Sequence, residues 1–303
     1  MSSFIAALPM YDWLETRADT DAHWARLRER LRAAGIDAPD HLTRRNADLP
    51  AVPGGIRDTA GRVIAPDPAS LPADELDFQT LWRHPHLLFA QTCWGPLETT
   101  DLGDHVEVVG QPDYSDVEGG EGALYSGAIV MRREAGPSPL PSPREERGEG
   151  GVGVAASSLL SVVTGRRSRQ GDEGHLGAPA DGKPRLPLDL LRGARLAFNS
   201  PDSMSGILAL TRDLEAAGEG LDLFAEQIET GAHRASVVAV AEGRADVAAI
   251  DCRTWDLVRR FEPAAQALRV VGWTARRKGL PFIAAVSLPG AVRASLVSVL
   301  DDS

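Results

Sequence analysis

Apolar residues recur along this chain with two different periods. Between residues 21 and 34, Trp24, Leu27 and Leu31 fall three and four apart with Arg and Glu between them, which predicts an amphipathic helix stopped by Gly35. Short, almost uninterrupted apolar runs predict buried strands at 4–8, 87–90, 106–109, 123–131, 196–198, 246–250, 268–273 and 280–286. Between them, helical spacing returns at 73–82, 207–217, from His233 through Val240, and at 288–300, while 48–67 reads as loop and 221–230 as a connecting helix or loop. Strands that alternate with helices imply an α/β fold with a largely parallel sheet, whose ligands gather at the carboxyl ends of the strands.

One stretch breaks this pattern. Residues 136–185 are rich in Gly and Pro and hold no aromatic residue. Such a segment buries too little apolar area to offset its ordering entropy, so it is expected to be a disordered insertion between Met131 and Leu186. A folded protein tolerates an insert of this kind, because each doubling of loop length costs only about 0.6 kcal/mol.

Composition narrows the function. The 303 residues are 43% hydrophobic and 25% charged, close to a globular average. The formal net charge of -11 argues against nucleic acid and anionic membrane as partners, since both require clustered Lys and Arg. Cys93 and Cys252 are the only cysteines, with no metal-ligand spacing around either; two thiols, no metal and no cofactor are expected. The first residues lack a basic segment and a long apolar run, so a cytoplasmic, non-inserted chain is expected as written, and a periplasmic one if the start is misassigned.

Candidate chemistry centres on 195–206, RLAFNSPDSMSG, where a strand turns into a helix. The first N–H groups of a helix have no intrahelical partner and carry its positive dipole end, so Ser203, Met204 through its N–H, and Ser205 form an oxyanion cradle that Gly206 lets a ligand approach. Ser203 serves equally as an ordinary helix N-cap. His233 stands in the first turn of another helix, as an anion ligand or a capping residue. Asp251 ends a strand, as a helix N-cap or a cleft carboxylate. Tyr11 follows the first strand and faces either the cleft or a surface edge. There is no G-x-S-x-G and no phosphate-binding G-x-x-x-x-G-K, so nothing fixes a nucleophile.

The ordered run NSPDSMSG, TGAHRAS, AEGRADVAAIDC-x-TW, then LRVVGWT with GLPFI resembles the phosphonate/phosphite/phosphate substrate-binding proteins of ABC transporters. The resemblance spans residues 4–285 apart from the insertion. It implies the two-lobed type II periplasmic-binding-protein fold with a hinge: lobe one from 1–128 and 273–303, lobe two from 129–272, the 136–185 insertion included. It also implies a monomeric solute-binding protein without enzymatic activity, a small phosphorus oxyanion as ligand and an ABC permease as partner. Ser203, Met204, Ser205, Gly206 and His233 would then hold the oxyanion, Asp251 the other end of the ligand, and Tyr125 and Tyr11 the aromatic wall. An enzyme using His233 and Asp251 as acid and base on the same fold is the alternative. Met204 within the serine loop, and Trp94-Gly95 after the Gln-Thr-Cys segment, depart from the family pattern.

Overall fold

A computed structural model describes residues 4–133 and 175–301. Its nine principal strands are β1 (Ile5–Ala7), β2 (Leu87–Gln91), β3 (Val106–Gly110), β4 (Gly127–Arg132), β5 (Arg195–Phe198), β6 (Glu226–Glu229), β7 (Val247–Asp251), β8 (Leu268–Trp273) and β9 (Phe282–Ala285). They form two sheets, ordered β1-β2-β9-β3 and β6-β5-β7-β4-β8, one in each of two lobes.

The two apolar periods have different structural causes. In the second sheet successive side chains point to opposite faces, and helices cover both faces, so even alternating positions are all apolar. Leu196, Phe198, Val247, Ala249 and Ile129 join one core with Leu210 and Leu214 of the helix Ala209–Ala216. Ala197, Ala248, Ile250 and Val130 join another with Val237 of the helix His233–Ala241 and Trp255 of the helix Cys252–Phe261. In the first lobe, the helix Arg17–Ala33 buries Trp24, Leu27 and Leu31 as its spacing predicts, and Trp24 stacks on Phe89 of β2 at 6.1 Å. Gly35 then turns the chain away with φ of 82°.

The sheets are mixed rather than largely parallel. β1 with β2, β5 with β6 and β5 with β7 run parallel, whereas β4 lies antiparallel to β7 and β8, and β9 antiparallel to β2 and β3. The right-handed βαβ unit makes strands parallel within a lobe. β4, β8 and β9 instead arrive with the two segments that cross between lobes, which run side by side in opposite directions. Gly127 N–H donates to Thr274 Oγ1 (2.8 Å) and Thr274 N–H to the Gly127 carbonyl (2.9 Å), tying the crossings together. Asp213, 4% exposed, holds the second crossing by accepting from the Ala275 N–H (2.7 Å) and from the Arg277 guanidinium.

Four local expectations need correction. The segment 48–67, expected as loop, carries a short antiparallel hairpin that pairs Ile56–Arg57 with Val63–Ala65. The helix expected over 73–82 is confined to Phe78–Arg83, because Asp77 caps its start by accepting from the Thr80 N–H at 2.7 Å. Within 221–230 lies the edge strand β6, whose sequence EQIE reads as polar because all its side chains but Ile228 are exposed. Of the insertion expected over 136–185, residues 136–174 lie outside the described residues, while 175–185 are held to the edge of the second sheet. Leu176 N–H donates to the Val270 carbonyl (3.1 Å), Trp273 Nε1 to the Leu176 carbonyl (2.7 Å), and Arg185 pairs with Trp273 as an antiparallel bridge. An unfilled sheet edge supplies the hydrogen bonds that composition alone did not reveal.

Candidate functional site

A cavity of about 500 Å3 lies between the lobes, where the carboxyl ends of β5 and β7 meet the segments after β1 and β2. Ser203, Ser205, His233, Asp251 and Tyr11 line it; Met204, Gly206 and Tyr125 do not.

The start of the serine helix is already capped. Ser203 Oγ accepts from the Gly206 N–H at 3.1 Å, and the chain enters through one π-helical turn, Met204–Leu208. A Cβ on Gly206 would stand 1.9 Å from Asn199 Oδ1, so any larger residue would displace that side chain. Met204 N–H, expected to face the ligand, instead donates to Cys93 Sγ of the first lobe at 3.4 Å. Its thioether turns away to Arg212.

Ser205 links this helix to the next one: its Oγ lies 2.9 Å from His233 Nε2. Asp251 Oδ2 approaches the same nitrogen at 3.5 Å. Asp251, 2% exposed, also caps its own helix, Oδ1 accepting from the Thr254 N–H (2.8 Å) and from the Tyr11 hydroxyl (3.0 Å) of the first lobe. N-cap and cleft carboxylate are thus one role. Burial pushes the His233 pKa down, opposed by the Asp251 charge, so the ring is neutral near pH 7. Its Nδ1 is buried with no hydrogen-bond partner among the described residues, as is Asn199 Oδ1.

The helix His233–Ala241 differs from its neighbours. Its N-cap is Ala232, which offers no side-chain acceptor to the first N–H groups. Gly231, Ala232 and His233 all border the cavity. Here are backbone donors at a positive dipole end that no side chain among the described residues caps.

Behind the wall, Tyr125 stacks on Tyr114 at 5.3 Å, and Tyr114 touches Tyr11 hydroxyl to hydroxyl at 3.5 Å. Burial raises the pKa of all three tyrosines, so they remain neutral. Tyr125 therefore supports Tyr114 and Tyr11 and does not form the cavity surface. Cys93 and Cys252 are free thiols, and burial pushes that of Cys93 up to about 11. Among the described residues no group of His, Cys, Asp and Glu could hold a metal ion, and no helix is long and apolar enough to cross a membrane.

Sequence reasoning missed Asn199, Arg234, Trp13, Phe78 and Trp82, all of which line the cavity. Asn199 could have been noticed as the first residue beyond β5, and the Gly-Ala before His233 as a helix start without a capping side chain. The aromatic residues come from separate segments of the first lobe, and no local signal joins them.

Two α/β lobes linked by paired crossings, with uncapped helix donors opening into the cavity between them, define a type II periplasmic-binding-protein fold: a substrate-binding protein. The model of the ABC transporter phosphonate periplasmic substrate-binding protein family matches residues 126–301, more than half of the chain, and the chain belongs to that family. The family is periplasmic, the second of the two locations the sequence left open. No curated protein matches the chain in sequence. Among solved structures, PhnD1 from Prochlorococcus marinus in complex with methylphosphonate is similar, at 14% identity and TM-score 0.53, over 98% of this chain and 83% of that one. The binding-protein component of an ABC phosphonate transporter from Pseudomonas aeruginosa is similar at 12% identity and TM-score 0.53, over 97% and 72%. A Xanthomonas citri protein, XAC2383, bound to chloride, follows at 14% identity and TM-score 0.52, over 99% and 83%. At these identities the likeness is one of fold.

Proposed function

We propose that this protein captures a phosphonate-, phosphite- or phosphate-like oxyanion in the interlobe cavity and presents it to an ABC permease. The observation that carries the reading is the uncapped start of the helix His233–Ala241, opening into the cavity beside Ser203 and Ser205 with His233 Nδ1 unpartnered. In this reading the ligand oxygens accept from the backbone N–H groups at 233–235, from the Ser203 hydroxyl and from His233 Nδ1–H. Ser205 O–H then donates to Nε2, which leaves the proton on Nδ1. Hydrogen bonds to a charged group contribute about 1.5–3 kcal/mol each, so a few of them support micromolar binding after association costs. Neither a high net positive charge nor a metal is required.

The lobes are taken as 1–128 with 273–303, and 129–272, hinged near Ala128 and Trp273, and the protein acts as a monomer. Asp251 reaches both lobes through Tyr11, and its Oδ1 already accepts from the Tyr11 hydroxyl and the Thr254 N–H; it serves closure more than contact with the ligand.

Acid–base catalysis by His233 and Asp251 is disfavoured. In a serine hydrolase the carboxylate orients the imidazole nitrogen opposite to the nucleophile. Here Ser205 and Asp251 face the same Nε2 and Nδ1 has no partner. The test is calorimetry with methylphosphonate, phosphite, phosphate and sulfate. Micromolar or tighter binding of at least one phosphorus oxyanion is expected, and no binding by any of them would refute the reading.

A further inference from the structure

The two walls of the cavity differ in what they have left to offer. On the second-lobe side, buried polar atoms and helix donors lack partners. On the first-lobe side most of the polar atoms are already used, the Gln79 amide nitrogen and the Trp13 indole N–H excepted. The Tyr11 hydroxyl donates to Asp251 (3.0 Å), Trp82 Nε1 to the Gln91 carbonyl (3.1 Å), Gln79 Oε1 accepts from Arg83, and Cys93 Sγ accepts from Met204 N–H. The rest of that wall is Pro9, Met10, Trp13, Phe78, Pro96 and Leu280. Phe78 leans on Trp82 at 5.3 Å between ring centroids and remains 37% exposed.

Size points the same way. Cavities of about 300–1,000 Å3 hold ligands of drug size, and this one measures about 500 Å3. Methylphosphonate occupies only a few water volumes, at about 30 Å3 each, and would leave most of the space and the whole aromatic wall unused.

Resting on the oxyanion reading above, we infer that the ligand is a phosphorus oxyanion carrying a bulky apolar or aromatic group, with the oxyanion at the His233 helix and the organic group against Trp13, Phe78 and Trp82. These three side chains then determine specificity. Arg234, whose guanidinium stacks over Trp13 at 4.7 Å and pairs with Glu15 of the first lobe at 3.0 Å, fixes the Trp13 ring in the closed wall.

The test is calorimetry on the full chain with methyl-, n-hexyl- and benzylphosphonate, and with phenyl phosphate to tell a carbon-linked from an oxygen-linked group. Benzylphosphonate or phenyl phosphate should bind at least tenfold tighter than methylphosphonate. Along the alkyl series affinity should rise about fourfold per methylene, the equivalent of about 0.8 kcal/mol for each buried CH2. Phe78→Ala, and separately Trp13→Ala, should lower the benzyl-to-methyl affinity ratio at least threefold. Methylphosphonate binding as tightly as the larger ligands, or a ratio unchanged in both variants, overturns the inference and leaves the oxyanion reading standing; failure of every compound to bind overturns both.

Discussion

Ser205 Oγ and His233 Nε2 lie 2.9 Å apart and join the starts of two helices that face one cavity. The residues are distant in sequence, and each alone reads as an ordinary helix start. Their contact decides which imidazole nitrogen remains for a ligand. With Nε2 engaged by Ser205 and Asp251, Nδ1 is the free one.

Ser205→Ala removes the hydroxyl that sets the His233 tautomer. Affinity for the bound oxyanion should fall about 10- to 100-fold, in line with the roughly 1.5–3 kcal/mol of a charge-assisted hydrogen bond, with little change in thermal stability. Calorimetry alongside a melting curve checks both parts, and unchanged affinity would return Ser205 to a purely structural role.

The His233 ring is held neutral by burial, so its folded pKa lies below the ordinary value of about 6.5. In the window between the folded pKa and about 6.5 the unfolded chain binds more protons than the folded one. Stability is therefore fully present above about pH 6.5 and is lost as pH falls through that window. Melting temperatures of the unliganded protein from pH 5 to 8 should show this slope, and His233→Asn should reduce it, leaving the part owed to His23 and His84, whose pKa burial also lowers. An oxyanion at Nδ1 favours the protonated ring, so binding near pH 6 should take up protons, measurable as a buffer-dependent binding enthalpy.

Gly95 of the first lobe lies against the second. A Cβ on it would stand 1.6 Å from the Asp202 carbonyl oxygen, far inside any contact that backbone tolerates. Gly95→Ala should leave each lobe folded and prevent closure. Ligand affinity is expected to drop at least tenfold, and small-angle scattering should show no contraction on adding ligand at concentrations that close the parent protein.

Arg277→Ala strands the Asp213 carboxylate beside the second crossing, with only the Ala275 N–H left to it. Removing one partner of a buried ion pair costs on the order of 3 kcal/mol. The urea midpoint should fall accordingly, and Asp213→Asn combined with Arg277→Ala should recover part of the loss, because no unpaired charge then remains.

By itself the sequence determined the α/β class, most strand positions, the helix Arg17–Ala33 with its buried face, and the residues that begin each helix at the cavity. These follow from local rules: side-chain period, turn chemistry and capping preference act over a few residues, and the chain cannot hide them. Four motifs in order also carried the family resemblance. The edge strand β6 and the held segment 175–185 were not legible, since both depend on hydrogen bonds offered by a sheet edge elsewhere in the chain. Tertiary structure alone decided what the candidate residues do. It turned Met204 N–H towards Cys93 and set Tyr125 behind Tyr114. It joined Asp251 to Tyr11 across the lobes, and it opened the uncapped helix start after Ala232 into the cavity. The reason is physical: a capping residue is a local signal, but whether an open helix start faces a cavity or solvent is not. Only the atoms packed around it, brought from distant parts of the chain, decide that.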